Sequence, residues 1–188
     1  IMTKPEDSSG GTVCTLNVKP EYSGITYTLT GFSEDCISGF GSWRMLEAFV
    51  LSGPSNFLSV EGGVLFDKHK TKLIRYPTGK AGSYTVPPSV KVLGNRSFTD
   101  SNNLTSLILP DGLTTVEDFA LFQCTRLKTV YIPSSLTSIG RCFLSNSKVE
   151  DVKIPEGVTE LSREFLKKCS ALKTLELPAS LTRADRND

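Results

Sequence analysis

The 188-residue chain has a single histidine, His69. That scarcity excludes a multi-histidine metal site and leaves imidazole catalysis one residue to work with. Its five cysteines (14, 36, 124, 142 and 169) include no C-x-x-C pair. An odd number so spaced fits neither a zinc site, nor a redox motif, nor a disulfide framework. No apolar run approaches the length of about eighteen residues needed to cross a bilayer. Ala48–Leu51 is four residues long. Charge of one sign is also lacking: 21 basic against 20 acidic residues leave a formal +1. Neither nucleic acid nor an anionic membrane is therefore an expected partner. The N-terminus shows no charged region followed by an apolar one, so no leader is visible. Because residue 1 is not methionine, the sequence is expected to be a trimmed piece of a longer chain.

What the chain does have is a repeat. Apolar–proline dipeptides place prolines at 87, 110, 133, 155 and 178, spaced 23, 23, 22 and 23 residues apart. A fixed period of this size means stacked structural units. One residue before each proline stand Val86, Leu109, Ile132, Ile154 and Leu177; three before stand Leu107, Val130, Val152 and Leu175. Three after stand Val90, Leu113, Leu136, Val158 and Leu181, and six after stand Leu93, Val116, Ile139 and Leu161. Twelve before the next proline come Phe98, Leu121, Phe143 and Leu166; nine before it come Ser101, Cys124, Asn146 and Cys169.

The −3/−1 alternation has period two, so it marks a short strand with both apolar residues inward. Proline, which cannot donate to a ladder, ends the strand. The +3/+6 pair supplies a second inward segment. The stretch around Phe98, Leu121, Phe143 and Leu166 carries Ala, Phe, Leu, Glu and Arg and predicts a single helical turn. Small residues nine before the proline suit a tight buried corner. Six or seven apolar side chains cannot offset the entropy of ordering 23 residues, so one unit cannot fold alone and stability becomes a property of neighbours.

The flanks differ. Cys14, Leu16 and Val18 alternate, then Ile25, Tyr27 and Leu29, which predicts a strand pair covering the open end, behind a lead-in of eleven residues. A degenerate first repeat holds Phe40, Leu46, Phe49 and Leu51 before Pro54. The step from Pro54 to Pro87 is ten residues too long, room for a hairpin of Val64–Phe66 and Lys72–Tyr76. The last unit, beginning at Leu181, is expected to be capped atypically or cut short.

The pattern L-x-x-[VL]-x-[IL]-P-x-x-[VL]-T-x-[IV]-G-x-x-x-F-x-x-C-x-x-L, carried closely by Leu127–Gly140, resembles the BspA-like leucine-rich repeats of bacterial surface proteins. The segment Ser59–Lys80 resembles a hairpin insertion of that family, and the likeness runs over about residues 40–182. Glu117 and Ser162 replace the family glycine; Ser101 and Asn146 replace its cysteine. The resemblance implies a cell-surface or secreted location and adhesion to host or partner proteins, an extracellular-matrix protein among them.

Candidate chemistry is sparse. A cysteine nucleophile served by His69 is not expected: His69 lies between lysines in a hairpin turn and the cysteines occupy buried repeat positions, whereas a thiolate needs an exposed electropositive niche. Gly79-Lys80 fails as a phosphate loop, with Ile74 and Ala81 in place of its glycine and hydroxyl residue. Lys68, Lys70, Lys72, Arg75 and Lys80 form a basic hairpin, expected to be a solvated face. Asn95-Arg96-Ser97 and Asn103-Leu104-Thr105 match glycosylation sequons and are expected to be silent. The carboxylates of Glu117, Asp118, Asp151 and Glu156 fall in different units.

The better candidate is the outward stripe. In-register strands stack at about 4.8 Å, so Ile108, Tyr131, Lys153 and Glu176 form one line, flanked by Ser106, Thr129, Asp151 and Thr174. The expected fold is α/β: a right-handed leucine-rich-repeat solenoid with short parallel strands, short helical turns, an inserted β-hairpin and a small β-rich N-terminal cap. Residues 1–39 form the lead-in and cap, 40–188 the solenoid, with the insertion at about 57–86 and regular repeats over 87–182. The expected function is that of a non-catalytic, monomeric module binding protein or glycan through the stripe, without cofactor, metal or membrane insertion. The alternative is a structural spacer that displays another domain.

Overall fold

The computed structural model describes residues 13–17, 21–22, 25–26 and 45–185. The expected strands form where the period-two pattern puts them. On one side, β8 (Gly82–Thr85), β10 (Leu104–Ile108) and β12 (Thr129–Tyr131) pair in parallel, as do β14 (Asp151–Lys153) and β16 (Thr174–Glu176). Leu107 and Leu109 point into the core and are fully buried, while Ile108 between them is exposed. On a second side, β7 (Lys72–Arg75), β9 (Val92–Leu93), β11 (Thr115–Val116) and β13 (Ser138–Ile139) pair in parallel, followed by the pair β15 (Glu160–Leu161) and β17 (Arg183–Ala184). The chain therefore winds as a β-solenoid of about five coils. One continuous apolar core runs from Val64 to Phe165.

The third side corrects the sequence reading. There is no helix among the described residues. Where a helical turn was expected, Phe98, Leu121 and Leu144 donate their N–H groups to Ala120 (2.8 Å), Phe143 (3.1 Å) and Phe165 (2.8 Å) of the next coil. Alternate residues instead close tight local turns, as from Ser97 to Gly94 and Ser101 to Phe98. An α-helix would direct those donors back along its own chain and leave the neighbouring coil unbonded. The alternation bends the backbone through the left-handed region twice per coil, at Arg96 and Asp100, Phe119 and Gln123, Cys142 and Asn146, and Glu164 and Lys168, with φ between 54° and 62°. Each such non-glycine residue costs about 1–2 kcal/mol, offset by a ladder bond to the next coil.

Hydrogen bonding also resets one alignment. The 22-residue unit lacks its residue at the corner after Ser147, where Ser147-Lys148-Val149 replaces Cys124-Thr125-Arg126-Leu127. Ser147 then falls level with Cys124 and Cys169: its hydroxyl lies 3.5 Å from Cys169 Sγ, and both thiols donate to a carbonyl, Cys124 to Phe98 and Cys169 to Leu144. Thus Leu144 and Ser147, not Phe143 and Asn146, occupy the repeat positions. Both strand ladders lose pairing at this step, between β12 and β14 and between β13 and β15. Gly94, Glu117 and Asp185 each donate a backbone N–H to the coil before, whereas at the short step the Ser162 hydroxyl bonds Ile139 O at 3.0 Å. The turn ladder alone crosses it intact.

At the N-terminal end, among the described residues, β1 (Val13–Leu16) does not pair with the segment after it. It joins β4 (Ala48–Leu51) in parallel, Cys14 opposite Phe49, and these bury a second small core with Leu46, Leu58 and Leu65. β2 (Glu21–Tyr22) and β3 (Ile25–Thr26) make a two-residue antiparallel pair. Val18, Tyr27, Leu29, Cys36, Phe40 and the lead-in lie outside the described residues. The insertion has three strands: β5 (Leu58–Glu61) and β6 (Val64–Asp67) pair antiparallel across Gly62-Gly63, and β6 pairs with β7, which enters the parallel ladder. Both glycines have positive φ, as a type I′ hairpin turn requires.

Arg75 departs furthest from expectation. It is 2% exposed, not part of a solvated hairpin face. Its guanidinium donates to Arg96 O and, at 3.3 Å, to Thr99 O, while Tyr76 N–H donates to Ser97 O at 2.7 Å. Ser97 O and Thr99 O stand where Ala120 O and Phe122 O accept from the coil before, so they are the first row of the turn ladder among the described residues; Arg96 O also closes a local turn with the Thr99 N–H. Arg75 caps that ladder.

Two outcomes follow for stability. Inserting threonine between Ser147 and Lys148 restores 23 residues and should rejoin β12 with β14. The expected gain is about 1–2 kcal/mol, from net ladder bonds of about 0.5–1.5 kcal/mol each; an unchanged or lower melting temperature would show that the missing residue does not cause the break. Replacing Arg75 with methionine keeps the apolar stem but leaves the buried Thr99 carbonyl without its guanidinium donor, whereas Arg96 O keeps the Thr99 N–H. A loss of about 1–3 kcal/mol is expected in urea unfolding, and no loss would mean that the cap contributes nothing.

Candidate recognition face

The side chains between the inward pairs of β8 to β16 project outward because strand residues alternate. Pairing places Thr85 beside Ile108, Ile108 beside Tyr131, and Ser106 beside Thr129; beyond the break, Lys153 stands beside Glu176 and Asp151 beside Thr174. The predicted line is therefore two segments that meet without strand pairing at Tyr131 and Lys153. Ile108 is 49% and Tyr131 52% exposed, large apolar groups side by side in water. An open groove of about 760 Å³ lies over Thr85, Ser106, Ile108, Thr129 and Tyr131. A second, of about 410 Å³, lies over Thr129, Tyr131, Asp151, Lys153, Thr174 and Glu176. All eight stripe residues line one or the other, and Thr129 and Tyr131 line both.

Polar contacts order the face. Tyr131 Oη donates to Asp111 Oδ1 at 3.4 Å, Thr174 Oγ1 donates to Asp151, and Lys153 Nζ pairs with Glu176 at 2.9 Å. The hydrogen bond and charge of Glu176 hold the Lys153 ammonium above its ordinary pKa. Asp111, Pro88 and Pro110 were not in the sequence-derived stripe. The signal was present, since a residue just past the strand-ending proline stands on the rim of the same face.

The other candidates separate. His69 is exposed, and no contact joins it to a thiol among the described residues. Burial pushes Cys14 up to about 11 and Cys124 up to about 12; burial first, and then Glu164 Oε2 at 3.5 Å from its Sγ, raises Cys142. Glu117, in the glycine position, bonds Lys72 Nζ at 2.6 Å and accepts from Asn95 N–H at 2.7 Å. Asp118 pairs with Arg141 at 2.8 Å. Glu156 accepts from the N–H groups of Ala179 and Ser180. No group of three or more metal-ligating side chains forms among the described residues, and no helix there is long and apolar enough to cross a membrane.

Coils of 22–23 residues, parallel ladders and a regular apolar core define a leucine-rich-repeat protein. The particular family is as definite: residues 76–187 match the BspA type leucine rich repeat region in six copies, and the chain belongs to it. Among solved structures it is similar to a leucine rich cell surface protein of Faecalibacterium prausnitzii (22% identity, TM-score 0.71), over 77% of this chain and 39% of that one. A leucine-rich repeat protein of Eubacterium ventriosum is similar at 22% identity and TM-score 0.66, over 90% and 50%. The pneumococcal vaccine antigen PcpA is similar at 22% and 0.56, over 74% and 38%. The chain thus spans half or less of the length of these structures. No curated protein matches it.

The buried thiols generate a pH prediction. Thiols of the unfolded chain ionise near pH 9, whereas folded Cys14 and Cys124 keep their protons to about 11 and about 12. Between those limits the folded state binds more protons, so stability falls as pH rises. Urea unfolding should weaken from pH 9 to 11, less steeply in Cys124→Ala, while a thiol reagent at pH 8 leaves Cys124 unlabelled until denaturant is added. A flat profile, or rapid native labelling of Cys124, would contradict the assigned burial.

Proposed function

We propose that this chain is a non-catalytic recognition module of a bacterial cell-surface or secreted protein, binding its partner through the outward face of β8 to β16. The supporting observation is the pair Ile108 and Tyr131, held exposed and adjacent on a rigid ladder over an open groove. Exposed aromatic groups on a preordered surface are the usual anchors of protein recognition. Family membership and the surface protein of Faecalibacterium prausnitzii support the location. Burial of Cys14, Cys124 and Cys142 and engagement of the carboxylates elsewhere support a non-catalytic reading. A protein partner, such as a matrix protein, suits this face, and the spacer reading is the outcome if nothing binds.

A screen of the folded protein against extracellular-matrix proteins and a glycan array, with Tyr131→Ala/Lys153→Glu alongside, tests this. Saturable binding lost in the double variant is expected, with the melting temperature unchanged because both side chains are solvent-facing. Binding that survives the double variant, or is lost only as the melting temperature falls, would sink the face as the site. No binding from a folded sample would favour the spacer.

A further inference from the structure

Resting on that reading, we infer that the groove takes a cationic peptide segment of a partner protein, an apolar side chain on Ile108 and Tyr131 flanked by two basic ones. The charge of the face carries the argument. Its lining holds three carboxylates, Asp111, Asp151 and Glu176, against one ammonium, Lys153, a net of −2. The whole chain is +1, so the acidity is local. Lys153 is already held by Glu176. Asp111 and Asp151 accept hydroxyl hydrogen bonds, from Tyr131 and Thr174, and form no ion pair among the described residues; the nearby Lys173 ammonium is bonded to Glu150 and acts on Asp151 only through its charge. Two carboxylates whose direct partners are neutral hydroxyls at a solvent-open groove gain from an incoming ammonium or guanidinium.

Placement sets the spacing. Asp111 touches Tyr131 beyond the proline end of its strand, and Asp151 lies at the opposite end, one coil further along. Two ladder steps of about 4.8 Å and about five residues of strand at about 3.3 Å put them roughly 19 Å apart. That is about six residues of extended peptide, with Ile108 and Tyr131 midway. The Tyr131 ring adds a face for a cation. The remaining walls, Val86, Pro88, Leu109 and Pro110, are aliphatic. The lining contains no Asn, Gln or Arg and one aromatic ring, so it lacks the planar amides that read sugar hydroxyls.

A random heptapeptide display library panned on the whole chain tests this, with enriched peptides measured by calorimetry. Sequences with Lys or Arg on both sides of an apolar residue should be enriched. Their binding should weaken about 3- to 10-fold in Asp111→Asn/Asp151→Asn, fall with added salt, and vanish in Tyr131→Ala. Enrichment of neutral or acidic peptides, or equal binding by the double Asn variant, overturns the cationic specificity; if those peptides still need Tyr131, the recognition face stands. Peptides indifferent to Tyr131→Ala overturn both. A glycan bound at Tyr131 with no peptide enriched overturns the peptide inference alone.

Discussion

Everything in this molecule depends on the backbone hydrogen bond from one coil to the next. Each coil has three sides, and each offers donors and acceptors that only a neighbour at ladder spacing satisfies. Two sides meet the requirement as strands. The third meets it with tight turns, sending alternate N–H groups across, as from Leu121 to Phe143, and closing the others locally. The left-handed φ values of residues as unsuited to them as Phe119 follow from that constraint, because a helix would withhold the donors the next coil needs.

The same constraint explains why departures from the repeat are informative. Arg75 presents a guanidinium N–H to Thr99 O in the first row of the turn ladder, where a regular coil receives a backbone N–H from the coil before. Glu117, where the repeat favours glycine, reaches back to the Asn95 N–H and Lys72. Ser162 bonds the Ile139 carbonyl where backbone pairing fails. Gly140 shows why glycine is otherwise preferred there: a Cβ would stand 2.5 Å from Asp118 N. Arg75 and Ser162 supply, by a side chain, a contact that the regular coil makes with a backbone N–H, whereas Glu117 keeps its backbone bond and adds side-chain contacts to it.

Rigidity of the ladder is also what makes the outward face usable. Ile108 and Tyr131 stay exposed and adjacent because their strands are pinned in register, so a partner need not order them on arrival. The break beside Tyr131 divides the face into an apolar groove and a charged one, and Tyr131 belongs to both. The chain from Thr129 to Asp151 passes through the corner that is one residue short, so the surface break and the short unit coincide.

The proline period and the apolar positions around it were enough to set the coil length, the inward residues Leu107, Leu109, Val152 and Ile154, and the outward positions Ile108 and Tyr131, because period-two alternation is local and burial follows it directly. The family was legible for the same reason. Helical turns were not a sound inference, since Ala, Leu and Glu favour a helix only where no neighbour claims their N–H groups. Nor could linear spacing locate the missing residue at Ser147–Val149, which shifts Phe143 and Asn146 out of register. The inward turn of Arg75, the parallel union of β1 with β4, and the meeting of Asp111 with Tyr131 all depend on which backbone groups lie one coil away. That neighbourhood exists only once the chain has wound.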